Sequence, residues 1–171
     1  MAGFTDHLFT INPKTGEIVG DDLFNTNADA IMIPVNCVGV MGKGLALQAK
    51  NKWPELDALY KYHLSEGLLK LGQVSFVNVT NHLTVVLIAT KDHWRDPSQL
   101  NWIDAGLRNF IKQTHEETKY WGITSVAIPE LGCGLGGLDW QLQVKPLIDD
   151  IMQVWDGHTH TYTYYDWDIP F

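Results

Sequence analysis

The stretch DAIMIPVNCVGVMGKGLALQAK, residues 29–50, decides the fold of this chain. Between Asp29 and Asn36 every residue is apolar, the pattern of a strand buried on both faces of a sheet. Pro34, near its end, lacks a ladder donor and marks an interruption just before the loop that follows. Gly39, Gly42 and Gly44 then surround Lys43, and a helical pattern runs from Gly44 to Trp53. Strand, glycine loop and helix in that order make an α/β unit, whose ligands bind outside the carboxyl ends of the strands.

Outward from this unit the elements alternate. Upstream, TGEIVGDDLF (15–24) reads as a short strand entering a polar loop, and the N-terminal residues 1–16 read as an edge strand. Downstream, a second helix starts at Pro54, a favoured first helical position. QVSFVNV (73–79) and LTVVLIAT (83–90) are two strands joined by TNH as a hairpin. DPSQ (96–99) reads as a helix start, with Asp96 as cap, Pro97 first in and Gln99 reaching back. Leu100, Ile103, Leu107, Phe110 and Thr114 keep helical spacing, which predicts a helix up to Gly122. ITSVAIPEL (123–131) is another buried strand, followed by a second glycine loop, GCGLGGLDW (132–140), and a helix that is regular from Pro146. HTHTYTYYDW (158–167) closes the pattern as a Thr/Tyr-rich strand. There are no repeats and no linker, so a single α/β domain over residues 1–171 is expected.

Bulk composition agrees. At 171 residues, 45% hydrophobic and 19% charged, the chain is an ordinary globule with enough length for a sizeable core. A net charge of -8 argues against a surface that tracks a nucleic-acid backbone, which needs a basic stripe. It leaves room for one anionic small ligand held by backbone dipoles. Cys37 and Cys133 form neither a disulfide framework nor a metal spacing, and the seven histidines lack paired ligand spacing. No signal peptide opens the chain and no apolar run reaches membrane length. The expectation is a cytoplasmic monomer without membrane, metal or cofactor.

Both glycine loops follow a buried strand and precede a helix, where bare N–H groups and a helix N-terminus make a phosphate cradle. A nucleoside triphosphate loop fails the residue test. Cys37 holds the place of its first glycine, and Gly44 follows Lys43 where a magnesium-binding hydroxyl belongs. Gly132, Gly134 and Gly137 have the spacing of a dinucleotide fingerprint, but that motif heads a longer βαβαβ unit and only one strand remains after it here.

These residues carry a family resemblance. DAIMIPVNCVGVMGKGLALQAKNKWPE resembles the first ligand loop of macro domains, which bind ADP-ribose. The similarity is to the branch that holds the DarG-type DNA ADP-ribosyl glycohydrolase antitoxins and the terminal ADP-ribose-protein glycohydrolases. TKDHWRDPSQLNWIDAGL (90–107) and IPELGCGLGGLDW (128–140) continue the match in the same order, over about residues 20–165. The resemblance implies a three-layer α/β/α fold around a central mixed, mostly parallel sheet. It also implies residue roles. Asp22 matches the acidic residue that accepts from the adenine amino group, with Leu23 beside it in the ligand-binding set; Asp21 stands where the family often has glycine. Asn36 matches the asparagine beside the distal ribose. Gly39, Val40, Met41, Gly42, Lys43 and Gly44 match the loop around that ribose and one phosphate. Gly132, Cys133, Gly134, Leu135, Gly136 and Gly137 match the loop over the diphosphate. Lys91, preceded by Thr90, matches the lysine on which this branch relies for cleavage.

Departures from the pattern carry information too. Protein-directed members of the branch hold an aspartate where this chain has Gly136, so no carboxylate acid/base stands there, as in the DNA-directed members. Asp139 is more simply a helix cap. The spacing from Trp140 to Pro146 is one residue longer than the family's, which alters the first helical turn. Breaking a glycosidic bond at the distal C1″ develops positive charge on the ribose. Lys91 can attack the opened sugar only as a neutral amine, which requires its ordinary pKa of ~10.4 to fall, for example beside Lys43. Alternatively it stays charged and stabilises the leaving group or a phosphate. His93 is a candidate proton relay. Trp94 reads first as core packing and second as support for the lysine loop or a stacking partner for a target base. Tyr164 or Tyr165 could stack on adenine, with strand packing the simpler role. Nothing activates the Cys37 or Cys133 thiol. Three activities fit: removal of ADP-ribose from a target such as a DNA thymidine, through a transient contact with single-stranded DNA; dephosphorylation of ADP-ribose 1″-phosphate; or binding of ADP-ribose without catalysis.

Overall fold

The computed structural model describes residues 2–165. Seven strands form one sheet: β1 (Gly3–Ile11), β2 (Ile18–Gly20), β3 (Ala30–Val35), β4 (Val74–Asn78), β5 (Thr84–Ala89), β6 (Ser125–Ile128) and β7 (His158–Tyr164). Their spatial order is β2-β1-β7-β6-β3-β5-β4, parallel throughout the middle, with antiparallel pairs only at the two edges. Four helices complete the fold: α1 (Gly44–Lys52), α2 (Glu55–Ser65), α3 (Leu100–Gln113) and α4 (Lys145–Met152).

Alternation along the central strands builds two cores. Ala30 and Met32 of β3, Val86 and Ile88 of β5, and Val126 and Ile128 of β6 face one side. There they pack with Ile103, Leu107 and Phe110 of α3 and Ile148 of α4. Ile31, Ile33 and Val35, with Val85, Leu87 and Ala127, face the other side against Ala49 of α1 and Leu56 and Tyr60 of α2. This is the expected three-layer α/β/α arrangement, and it explains why these strands read as unbroken apolar runs. Pro34 fits the interior because pairing with β6 ends at Ile31, whereas pairing with β5 continues to Val35.

Several expectations are corrected. β1 is an edge strand only in part: β7 pairs with Gly3 to Phe9 on one side, and the short β2, the outermost strand, covers Phe9 to Ile11 on the other. Helix α3 starts at Leu100 with Gln99 at its cap, not at Pro97 capped by Asp96. Ser98 is drawn instead into a contact with the second glycine loop, and the Asp96 carboxylate accepts the His93 amide at 3.3 Å. The same helix ends at Gln113, short of Gly122, where the Thr114 hydroxyl back-bonds to Phe110 O and Glu117 takes φ 68°. Trp140–Val144 forms a π-helical turn capped by Asp139, whose carboxylate accepts the Leu142 amide at 2.8 Å. A π-turn holds one more residue than an α-turn, which accommodates the longer Trp140-to-Pro146 spacing. The expected last strand ends at Tyr164; its residues 166 and 167 lie outside the described residues. Among the described residues, no helix is long and apolar enough to cross a membrane.

Candidate active site

Strands β6, β3 and β5 are consecutive and parallel, so the loops that follow them leave one edge of the sheet together. The loop after β3 is organised by Asn36, whose side chain is 6% exposed. Its Nδ2 donates to Val40 O at 2.8 Å, and its Oδ1 accepts the Val38 and Val40 amides at 3.1 and 3.3 Å. From α2, the Tyr60 hydroxyl reaches both Asn36 Oδ1, at 2.8 Å, and Asn36 O. Burial raises the Tyr60 pKa above the ordinary phenol value, so this hydroxyl remains a donor. Asn36 therefore shapes the loop with its amide while it lines the cleft. Tyr60→Phe removes the donor and leaves a buried oxygen short of a partner. It is expected to lower the unfolding free energy by about 1–2 kcal/mol, read by denaturant titration.

The loop after β6 turns on Gly132, at φ 72°, and Gly137, at φ 82°. Among the described residues the amides of Gly134, Leu135 and Gly136 in its middle have no protein partner, nor do those of Gly42 and Lys43 across the cleft. Two sets of bare donors at the mouth of α1 suit a diphosphate.

The segment after β5 joins the two loops. Thr90 N donates to Val35 O at 3.1 Å, and Cys37 N donates to Asp92 O at 2.8 Å, which staples the segment to the first loop. Ser98 N donates to Gly136 O at 3.0 Å, which staples it to the second, and Ser98 Oγ donates to Thr90 Oγ1 at 3.3 Å within the segment. Lys91 sits between these staples, on the wall of a cleft of about 500 Å³.

Of the expected residues, Asn36, Val40, Gly42, Lys43, Gly44, Thr90, Lys91, Gly132, Gly134, Leu135 and Gly136 line that cleft. Others do not. Leu23 and Met41 are 6% and 2% exposed and belong to the core on the α1–α2 face. Gly39 is buried beneath Lys61, and Gly137 closes the turn outside the wall. Cys133 packs on the α3–α4 core, its thiol pushed up to about 12 by burial, then by Glu130 and Asp139; burial and Asp92 also raise Cys37, so neither thiol is an activated nucleophile. His93 is off the cleft wall, its Nδ1 accepting the Arg95 amide at 3.1 Å. The Asp22 carboxylate accepts the Phe24 amide at 3.0 Å and caps the 3-10 turn Leu23–Asn25; Asp21 instead holds His7 Nδ1 at 2.8 Å. Trp94 is no core residue: it is 45% exposed and lines the cleft beside Lys91.

Four participants escaped sequence reasoning. Ser98 was hidden in an apparent capping box. Glu130 lies at the carboxyl edge of β6 and lines the cleft; burial raises its pKa, the Tyr164 amide lowers it, and the charge of Asp6 raises it again. An ionisable residue directly after a buried strand was the available signal. Gln48 projects from α1 onto the wall. Tyr60 follows Trp53 and Leu56 at helical spacing and reads simply as core. Among the described residues, no three His, Cys, Asp or Glu side chains converge to hold a metal.

This edge brings two glycine loops together on either side of a lysine-bearing segment, around one cleft. The macro domain family model matches residues 33–146, and the chain belongs to that family. It is 41% identical over 139 residues to a DNA ADP-ribosyl glycohydrolase of Mycobacterium tuberculosis, covering 79% of this chain and 38% of that protein. It is 33% identical over 149 residues to a DNA ADP-ribosyl transferase–DNA ADP-ribosyl glycohydrolase fusion protein of Thermosipho africanus, covering 77% and 37%. The chain thus spans less than two-fifths of the length of these relatives. Among solved structures it is similar to the macrodomain of Mycobacterium tuberculosis DarG, with TM-score 0.74 and 34% identity over 94% of this chain and 98% of that one. It also matches Thermosipho africanus DarTG in complex with ADP-ribose, with TM-score 0.76 and 30% identity over 87% and 41%.

Proposed function

We propose that this chain binds ADP-ribose in the cleft and hydrolyses the glycosidic bond that joins the distal ribose to a modified base, with ADP-ribosylated thymidine in single-stranded DNA as substrate. Water adds across the C1″–N bond; ADP-ribose leaves and the base recovers its proton. The observation that carries this reading is the position of Lys91, on the cleft wall between two loops whose amides suit a diphosphate. The similarity to DNA ADP-ribosyl glycohydrolases supports the reaction, and the glycine at position 136 supports a DNA over a protein target, since no carboxylate stands there. A net charge of -8 fits a contact limited to one unpaired nucleotide. Asn36 positions the first loop; Asp22 and Tyr164 or Tyr165 serve the adenine end. The chain acts as a cytoplasmic monomer without a metal or cofactor.

The test is turnover by wild type on single-stranded DNA carrying ADP-ribosyl-thymidine, beside ADP-ribose 1″-phosphate. Release of ADP-ribose from DNA is the expected result. Phosphate release from the small molecule with inert DNA assigns the phosphatase activity instead, and ADP-ribose binding without either reaction assigns a reader.

A further inference from the structure

The indole of Trp94 stands exposed on the cleft wall beside the lysine. Trp94 keeps 45% of its surface in solvent while it lines the cleft, in a fold that buries Trp53, Trp140 and Trp155 but leaves Trp121 58% exposed away from the cleft wall. The indole is held in place. The Arg95 guanidinium lies 4.5 Å from the ring centroid, and the His93 ring lies 5.2 Å away. The turn beneath is fixed by Arg95 N donating to His93 Nδ1 at 3.1 Å and His93 N donating to Asp96 Oδ2 at 3.3 Å. Because the whole segment is stapled to both glycine loops, the ring keeps its position relative to Lys91. Lys43 and Lys91 on the cleft wall and Arg95 on the indole supply three cations near the ring; of the nearby carboxylates, Glu130 lines the same cleft, Asp96 is turned to the His93 amide and Asp92 lies near the Cys37 thiol.

A rigid, half-exposed aromatic ring with a guanidinium on it is the unit that receives an unpaired base and its neighbouring phosphate, because every base offers a π-face and the cation answers the backbone charge. We propose that Trp94 is the platform for the nucleobase from which ADP-ribose is removed, and that Arg95 contacts the adjoining phosphate of a single DNA strand. This inference rests on the proposed reading of the cleft as a DNA ADP-ribosyl glycohydrolase site and adds the subsite for the leaving nucleotide.

Steady-state kinetics on a single-stranded oligonucleotide carrying ADP-ribosyl-thymidine, and on ADP-ribosyl-thymidine as the free nucleoside, test it. Trp94→Ala is expected to raise KM on both substrates about tenfold or more, while the Kd for free ADP-ribose holds in calorimetry. Trp94→Phe is expected to recover most of the loss. Arg95→Ala is expected to raise KM more for the oligonucleotide than for the nucleoside, and to flatten its dependence on salt. Unchanged KM in Trp94→Ala with an active wild type overturns this inference alone. So does a parallel loss of ADP-ribose affinity, which assigns the ring to supporting the nucleotide loops. Absence of turnover by wild type on both substrates overturns the functional reading and the platform with it.

Discussion

Lys91→Ala is expected to lower kcat by at least about 100-fold while ADP-ribose still binds with its original affinity, because the substitution removes the amine that attacks the opened sugar or stabilises the leaving group, and little else. The reason lies in how the residue is held. The staples on either side of it run from the Thr90 amide to Val35 O and from the Cys37 amide to Asp92 O, and both are backbone contacts that alanine preserves. Thr90 is 1% exposed and anchors the segment from below. Loss of activity with an unchanged melting temperature and an unchanged Kd would therefore isolate chemistry from folding and from binding. Lys91→Arg separates the two roles open to the side chain. A fixed positive charge that stabilises the leaving group or a phosphate is partly replaced by a guanidinium, so measurable activity returns. An amine that attacks the opened sugar is not, and the arginine variant is then as inactive as alanine. Turnover in Lys91→Ala within a few-fold of wild type would remove the lysine from the mechanism.

The sequence made some of this plain and concealed the rest, for physical reasons. β3, β5 and β6 are buried on both faces, and that condition prints unbroken apolar runs; the glycine loops after two of them follow from the positive φ angles that the turns require. What sequence could not carry was the contact between segments far apart in the chain. DPSQ has the local form of a helix cap, yet its serine lies against Gly132 and Gly136, more than 30 residues away, and tertiary contact overrides the local preference. Helical periodicity beyond Gln113 ends where the Thr114 hydroxyl bonds back to the Phe110 carbonyl and Glu117 takes φ 68°, which spacing alone does not reveal. Trp94 was read as core because most tryptophans are; its exposure depends on where the stapled segment places it. Leu23 and Met41 belong to the binding motifs by position and to the core by side chain. A motif match assigns a backbone path, and only the fold tells which side chains along it face the ligand.

The same contact at Ser98 gives the second large effect. Gly136→Ala is expected to destabilise the fold by about 1–3 kcal/mol and to weaken ADP-ribose binding about tenfold or more. A Cβ at this position would run into Ser98 Oγ and the Gly132 carbonyl and lie 2.8 Å from Ser98 Cβ. Ser98 is 4% exposed and has nowhere to retreat, so the strain passes into the segment that carries Lys91 and into the amides of the second loop. Gly134→Ala is the control from the same loop: its Cβ meets nothing within 4 Å, and its effect on stability is expected within about 0.5 kcal/mol. Thermal melts of the pair, with calorimetry on ADP-ribose, check the contrast, and equal melting temperatures for both variants would show that the packing at Gly136 yields freely. Ser98→Gly added to Gly136→Ala is expected to restore only part of the loss, since the Gly132 carbonyl stays in the way. The consequence reaches chemistry. By the resemblance to macro domains, Gly136 stands where protein-directed members of the branch carry an aspartate, and a Cβ there runs into Ser98 and the Gly132 carbonyl. Gly136→Asp is therefore expected to behave as a destabilised variant of this cleft and not to gain turnover on ADP-ribosylated protein. That exclusion is steric, built into the junction between the lysine segment and the second glycine loop.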